Sequence, residues 1–435
     1  MRRQLSLDSS PTLSVPLRFF LNAPLFALLA AGLLLWDGPD AFTSRWSPAS
    51  LALTHLFTLG ILTSVMTGAL IQILPVATGV RIAWTHVTAM AVHALLTLGT
   101  LTLSAAFLFS LQRLFLPALL LLSAALLWLL AACFTGFWQH RDQAFKGSGD
   151  VLNATRLALI ALLATTVLGA ILAGSQVWPV PLPLIMLTDL HAMWGLSGWV
   201  GLLTMGIAYQ LIPMFQVTDV YPRTLARGLA PFVFVLLVAI SFNAAIFPRV
   251  EKSLGFLLFF AYAIFAAVTL YLLWARKRSG YDATTLFWRT AMVSLVCCAP
   301  LWMVQTAIGN PPGSITLGVL FIFGVAWSSI NGMLYKIIPF LLWYHAQNSL
   351  RTAPIAVVPK VKDTIPDRMA QRQFWAHLLA LLLLLAASVR PIAFARMGAL
   401  AAGGSAVWLG INVIGAIRLY LRAKRQIASI ESNAR

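Results

Sequence analysis

Charge is scarce in this sequence. Only 10% of its 435 residues are Asp, Glu, Lys or Arg, against about a quarter in soluble chains, while 60% are hydrophobic and the mean hydropathy is +0.87. That balance excludes a water-soluble globular enzyme. Carboxylates are scarcest: the 12 are Asp8, Asp37, Asp40, Asp142, Asp150, Asp189, Asp219, Glu251, Asp282, Asp363, Asp367 and Glu431, none deep in an apolar run. Proton pumps and proton-coupled carriers use intramembrane carboxylates, so proton transport through a carboxylate relay is disfavoured. Cysteine is nearly missing. Cys133, Cys297 and Cys298 lie in or at the ends of apolar runs, which leaves no disulfide framework and no cysteine metal site to be read. There is no phosphate-binding glycine loop and no nucleophile beside a base, so neither nucleotide binding nor hydrolysis is implied.

What the chain has in abundance is apolar runs. Twelve are long enough to cross a bilayer, at roughly 17–36, 51–76, 86–109, 114–137, 154–175, 188–214, 229–247, 254–274, 286–308, 314–341, 373–389 and 396–418. The first has no small-residue cleavage site after it and is predicted to be a retained helix. The 30 Lys and Arg against 12 acids give a net charge of +18. Most of that charge lies in short loops beside apolar runs, where it meets anionic lipid and sets orientation; nucleic acid is not a predicted partner. With the N-terminus in the cytoplasm, 23 of the 30 basic residues fall on the cytoplasmic side and 6 on the other, Lys336 being inside a run. The positive-inside rule then places both termini in the cytoplasm of a bacterial-type inner membrane. The longest loop, 346–372, is basic and broken by Pro354, Pro359 and Pro366; it reads as a solvated strap at the lipid headgroups, with partner docking as the alternative.

The most specific signal is internal repetition. Gly68 opens GALIQILP, Gly206 opens GIAYQLIP and Gly332 opens GMLYKIIP, each with another glycine eight residues upstream, at Gly60, Gly198 and Gly324. The copies fall on the second, sixth and tenth runs, the second helix of each successive group of four. A four-span unit returns the chain to its starting side, so the copies share one orientation, which disfavours inverted-repeat transporters. The predicted fold is therefore an all-α polytopic membrane protein, one membrane domain over 1–435. Its twelve helices form three four-helix repeats, 17–137, 154–274 and 286–418, in a pseudo-threefold arrangement.

Within the motif, Gly68, Gln72 and Pro75 lie on one helical face, as do Gly206, Gln210, Pro213 and Gly332, Lys336, Pro339. The glycine admits a close neighbour, the amide can bond across helices, and the proline kinks or ends its helix. Two readings stand for Gln72, Gln210 and Lys336: packing glue, with Lys336 snorkelling to water, or the polar lining of a path. Asp189 reads as an N-cap. Of the seven histidines, His140, His345 and His377 are placed at the surface. His93, seven residues beyond His86 on one face, reads as a hydrogen-bonded core residue or a third ligand candidate. His55 and His191 sit on motif-bearing helices near the non-cytoplasmic side, and neutral imidazoles from two helices can hold a porphyrin or a copper ion.

Twelve helices, cytoplasmic termini, three four-helix arcs and a histidine on the outer half of helix two together resemble subunit I of the haem-copper oxidase superfamily, which includes the nitric oxide reductases. The resemblance covers most of the chain and rests on architecture more than on sequence. It implies that His55 stands where the family places an axial ligand of a low-spin haem, and His191 where the sixth helix supplies a copper histidine. It is also similar, more weakly, to twelve-span haem and copper proteins associated with nitric oxide tolerance. The departures are specific: Pro231 to Phe247 lacks the family's copper histidine pair, and Gly318 to Pro339 lacks the axial histidines of both haems. The dinuclear site cannot be assembled, so terminal oxidase or nitric oxide reductase activity is not implied. A low-spin haem would need a different second ligand, His191 or His93. The leading expectation is an oxidase-like protein binding one haem b, or copper, for redox, gas-ligand handling, sensing or assembly, with other membrane subunits as partners. The competing classes are a permease or channel with a polar path at the threefold axis, and a cofactor-free scaffold subunit.

Overall fold

A computed structural model describes residues 6–433 apart from 146, 245–247, 278–279, 281, 309–314 and 351–353. Arg2, Arg3, Lys146, Arg278, Arg351 and Arg435, counted above on the basic side, lie outside the described residues. No strand occurs among the described residues, and twelve helices are long and apolar enough to cross a membrane. We number them α1 Ser14–Asp37, α2 Pro48–Thr78, α3 Thr85–Leu108, α4 Phe115–Gln139, α5 Gly149–Ser175, α6 Leu184–Gln216, α7 Arg223–Asn243, α8 Pro248–Trp274, α9 Ala283–Ala307, α10 Ile315–Gln347, α11 Asp367–Val389 and α12 Pro391–Asn433. Hydrocarbon offers no partner to a backbone N–H, so apolar sequence of this length satisfies itself as helix. The outward surface keeps large apolar side chains such as Leu25, Trp138, Phe242 and Ile392 exposed, as a lipid-facing wall requires.

The helices divide into an inner and an outer set. The apolar windows of α2, α6 and α10 are 83%, 72% and 83% buried by protein, whereas no other exceeds 56%. These three carry the glycine motif. They meet one another: Trp199 Nε1 on α6 donates to Thr63 Oγ1 on α2 at 3.1 Å, and Phe57 on α2 packs edge-on against Phe323 on α10 at 5.8 Å. Each also widens from α to π geometry, over Leu56–Thr63, Trp194–Leu202 and Leu320–Trp327. Those segments leave no mark in the sequence, because a π turn changes the hydrogen-bond register without changing the apolar content.

The motif glycines have a packing cause. A methyl built on Gly68 would lie 2.7 Å from Phe19 Cβ, one on Gly206 2.6 Å from Ala154 Cβ, and one on Gly332 2.6 Å from Phe287 Cβ. The upstream glycines repeat this: Gly60 faces Phe26, Gly198 faces Ala161 and Gly324 faces Ser294. So α1, α5 and α9 each cross an inner helix where a side chain is missing. The prolines act more mildly than expected. Pro75, Pro213 and Pro339 sit inside helices that continue to Thr78, Gln216 and Gln347, so none terminates its span.

Loop contacts sort into two faces. On the one bearing both termini, Ser6 N donates to Val76 O at 3.0 Å, Phe145 N to Thr78 O at 2.9 Å, Lys277 N to Val217 O at 3.0 Å and the Tyr344 hydroxyl to Leu7 O at 2.7 Å. On the opposite face, Arg45 pairs with Asp189 and Gln112 Nε2 donates to Gln176 O at 2.8 Å. The 346–372 loop is more structured than a plain strap, holding a 3-10 turn at Ile355–Val357 and a short helix at Val361–Thr364.

Candidate functional site

A cavity of about 1060 Å³ lies in the half of the bundle away from the termini. It is walled by apolar residues of several helices, among them Leu59, Phe107, Leu162, Leu258 and Phe323. His55 and His191 both line it. His55 ends the first α-helical stretch of α2, immediately before the π segment, and its Nδ1 lies 2.8 Å from the carbonyl of Leu51. His191 comes from the corresponding region of α6, with its Nδ1 3.1 Å from the carbonyl of Thr165 on α5. A carbonyl oxygen only accepts, so each Nδ1 carries the hydrogen and each Nε2 keeps its lone pair. Among the described residues no hydrogen bond reaches either Nε2.

The two rings stand 6.4 Å apart between centroids with planes 24° apart. Two imidazoles ligating one iron in line would place their nitrogens about 4 Å apart, and adding roughly 1.1 Å from each nitrogen to its ring centre gives about 6.2 Å. The centroid separation and the apolar walls thus leave room for one metal held by both imidazoles. His55 also stacks on Phe107 at 5.3 Å and 25°, which fixes its plane. His191 fits because α5 has no side chain at Gly169: a methyl there would lie 2.9 Å from His191 Cε1. Nothing in the sequence pattern marked Thr165, Gly169 or Phe107, since they act on the histidines from other helices.

Arg45 and Asp189 also line the cavity, and their side chains meet, Nη1 to Oδ1, at 2.6 Å. Asp189 lies within the helix Leu184–Met193 and is tied to Arg45, so the expected N-cap role is replaced by an ion pair. The Arg45 guanidinium in turn sits 4.6 Å over the Trp46 ring. Among the described residues no three or more His, Cys, Asp or Glu side chains gather where they could hold a metal ion. His55 and His191 are the imidazoles on the cavity wall.

The other candidate residues lie elsewhere. His93 does not line the cavity; its Nε2 is 3.3 Å from Asn22 Oδ1, and Asn22 Nδ2 donates to Ser64 and Thr97 at 3.0 Å each. Gln72, Gln210 and Lys336 are absent from the cavity wall as well. Gln72 Nε2 donates to Ser10 Oγ at 2.7 Å, on the face bearing the termini. Lys336 does not snorkel to water: its Nζ is 2.8 Å from Asp282 Oδ2, in a pair whose side chains are 17% and 7% exposed. Asp282 caps α9, accepting from the N–H of Thr285 at 2.9 Å and its hydroxyl at 2.9 Å. Burial alone would raise the Asp282 carboxyl pKa, but the Lys336 ammonium and the Thr285 donors outweigh it and hold the group below the ordinary carboxylate value. His377 is a further correction: it is wholly buried, with Nε2 2.8 Å from Ser328 Oγ and its ring stacked on Phe323 at 4.8 Å, because α11 begins ahead of it and turns it inward.

Fold and site together define a multi-pass helical membrane protein with a histidine pair in an apolar cavity. Compared with models of protein families and with curated protein sequences, the chain matches none.

Proposed function

We propose that this chain is a membrane protein of the haem-copper oxidase subunit I type that holds one haem b between His55 and His191 and serves electron transfer rather than oxygen or nitric oxide reduction. The observation that carries the reading is the pair of imidazoles at 6.4 Å, each with Nδ1 tied to a carbonyl and Nε2 turned free. Tying Nδ1 in this way orients a ligating ring and raises the basicity of Nε2. A haem held by His55 and His191 would supply a one-electron couple, and with both imidazoles engaged it would favour electron transfer over gas-ligand handling, sensing or assembly. The chain's own residues orient the rings through Leu51, Thr165 and Phe107, surround them with a largely aliphatic wall, and place the Arg45 cation on the cavity lining.

The architecture proposed is three four-helix units about a pseudo-threefold axis. It is supported by the shared crossing pattern: the residues opposite the glycine pairs are Phe26 and Phe19, Ala161 and Ala154, Ser294 and Phe287, each pair seven apart. The π segments at matching places support it too. The 23 to 6 distribution of basic residues supports an inner-membrane protein with both termini in the cytoplasm. A permease path through the motif residues is less well supported, since Gln72 and Lys336 are engaged by Ser10 and Asp282.

The test is the absorption spectrum of protein purified from haem-replete cells. A Soret band and a low-spin bis-imidazole signature are expected, lost in His55→Ala and in His191→Ala but kept in His93→Ala. A colourless wild-type preparation, or a Soret band surviving both substitutions, would refute the haem reading and leave scaffolding or transport.

A further inference from the structure

The C-terminal helix carries a second arrangement of residues, far from the histidine cavity and independent of the haem reading. In α12, Ile411, Gly415, Arg418 and Arg422 fall at helical spacing on one stripe. Across from that stripe runs the segment Ile365 to Met369, where the 346–372 loop turns into α11. Between them is a groove of about 350 Å³ on the face bearing the termini, lined by both arginines, Asn412, Ile411, Ile365 and Met369.

The chemistry of the groove is graded along the helix. Arg418 and Arg422 stand at the outer end and are solvent-exposed. Asn412 lies six residues deeper, about 9 Å along the axis, beside the exposed apolar side chain of Ile411. Asn412 is 3% exposed; its Nδ2 is 2.9 Å from the Tyr335 hydroxyl and its Oδ1 has no partner among the described residues. A buried amide half-satisfied at a groove wall is costly unless something completes it. The phenol of Tyr335 can donate as well as accept, so the amide is able to present its N–H donors instead.

We propose that this groove binds one anionic phospholipid. Its phosphate meets Arg418 and Arg422, its ester region meets Asn412, and its acyl chains lie along Ile411 and Met369. Cations at the outer end and an amide beside apolar surface deeper in is the order in which a lipid presents its groups to a bilayer leaflet. A free inorganic anion would use only the arginines and leave the amide and the apolar wall unexplained.

The experiment uses the full-length protein in detergent. Retention of added phosphatidylglycerol is read by native mass spectrometry and by thermal shift, with phosphatidylcholine and inorganic phosphate as separate arms. Retained phosphatidylglycerol and a raised Tm are expected, with neither effect from phosphatidylcholine or phosphate. Arg418→Gln/Arg422→Gln should weaken retention about thirty-fold, the effect of removing two cations near an anionic lipid. Asn412→Leu should weaken it while leaving the charge intact. Should the double variant fail to fold, Arg422→Gln alone, at the exposed end, must weaken retention about fivefold. Equal stabilisation by phosphate would reduce the groove to a small-anion site. Equal retention of phosphatidylcholine, or unchanged phosphatidylglycerol retention in the arginine variants, would overturn the proposal outright.

Discussion

The ring of His191 lies over Gly169 of the preceding helix, with Cε1 2.9 Å from where a methyl would stand. One turn earlier on that helix, the carbonyl of Thr165 takes the hydrogen of His191 Nδ1. A backbone groove, rather than a polar side chain, therefore sets the direction of this imidazole. Gly169→Val should displace the ring without removing the ligand. The expected outcome is a folded protein with haem content reduced about tenfold, equivalent to roughly 1.4 kcal/mol. Haem content per polypeptide, measured against His191→Ala and wild type, checks it; unchanged occupancy would show that the ring tolerates movement.

Asp282 and Lys336 make a buried pair on the face bearing the termini. Removing one member leaves the other charged and desolvated, at a cost of about 3 kcal/mol. Lys336→Met should therefore lower Tm sharply in detergent, while Lys336→Met/Asp282→Leu should recover most of the loss. If the double variant is no more stable than the single one, the pair is not what holds α9 to α10.

The same pair predicts a direction with pH. Asp282 has a folded pKa below its unfolded value, so its contribution is fully present above the unfolded pKa near 3.8 and is lost as pH falls through the lower folded value. Wild type should lose stability on acidification below about pH 4 more steeply than Asp282→Asn. Thermal unfolding across that window, compared between the two proteins, is the measurement.

The glycine crossings should behave as a set. Gly68→Val, Gly206→Val and Gly332→Val each force a branched side chain against Phe19, Ala154 or Phe287, and each should cost about 1–3 kcal/mol. Gly228→Ala serves as the control, since no atom lies within 4 Å of a methyl built there. Three similar losses with a silent control would fit the three-unit reading; a loss at only one crossing would argue that the other matches are coincidental.

What the amino-acid sequence determined by itself is the class of molecule, the number of spans and the three helices that share one motif. Those follow from local quantities: apolar runs of bilayer length, and a glycine, amide and proline at helical spacing repeated three times. The same reading reached His55 and His191 as a pair of outer-half histidines, but also carried His93, Gln72, Gln210 and Lys336 as candidates, because a residue type on a helix face does not reveal what stands opposite. The tertiary structure decided that. It joined His93 to Asn22, Gln72 to Ser10 and Lys336 to Asp282, turned His377 inward, and set the rings of His55 and His191 6.4 Å apart. Each of these outcomes depends on the rotation and depth of two helices distant in the chain. Those are set by close packing at the glycine crossings and by the π turns, neither of which leaves a trace in hydropathy.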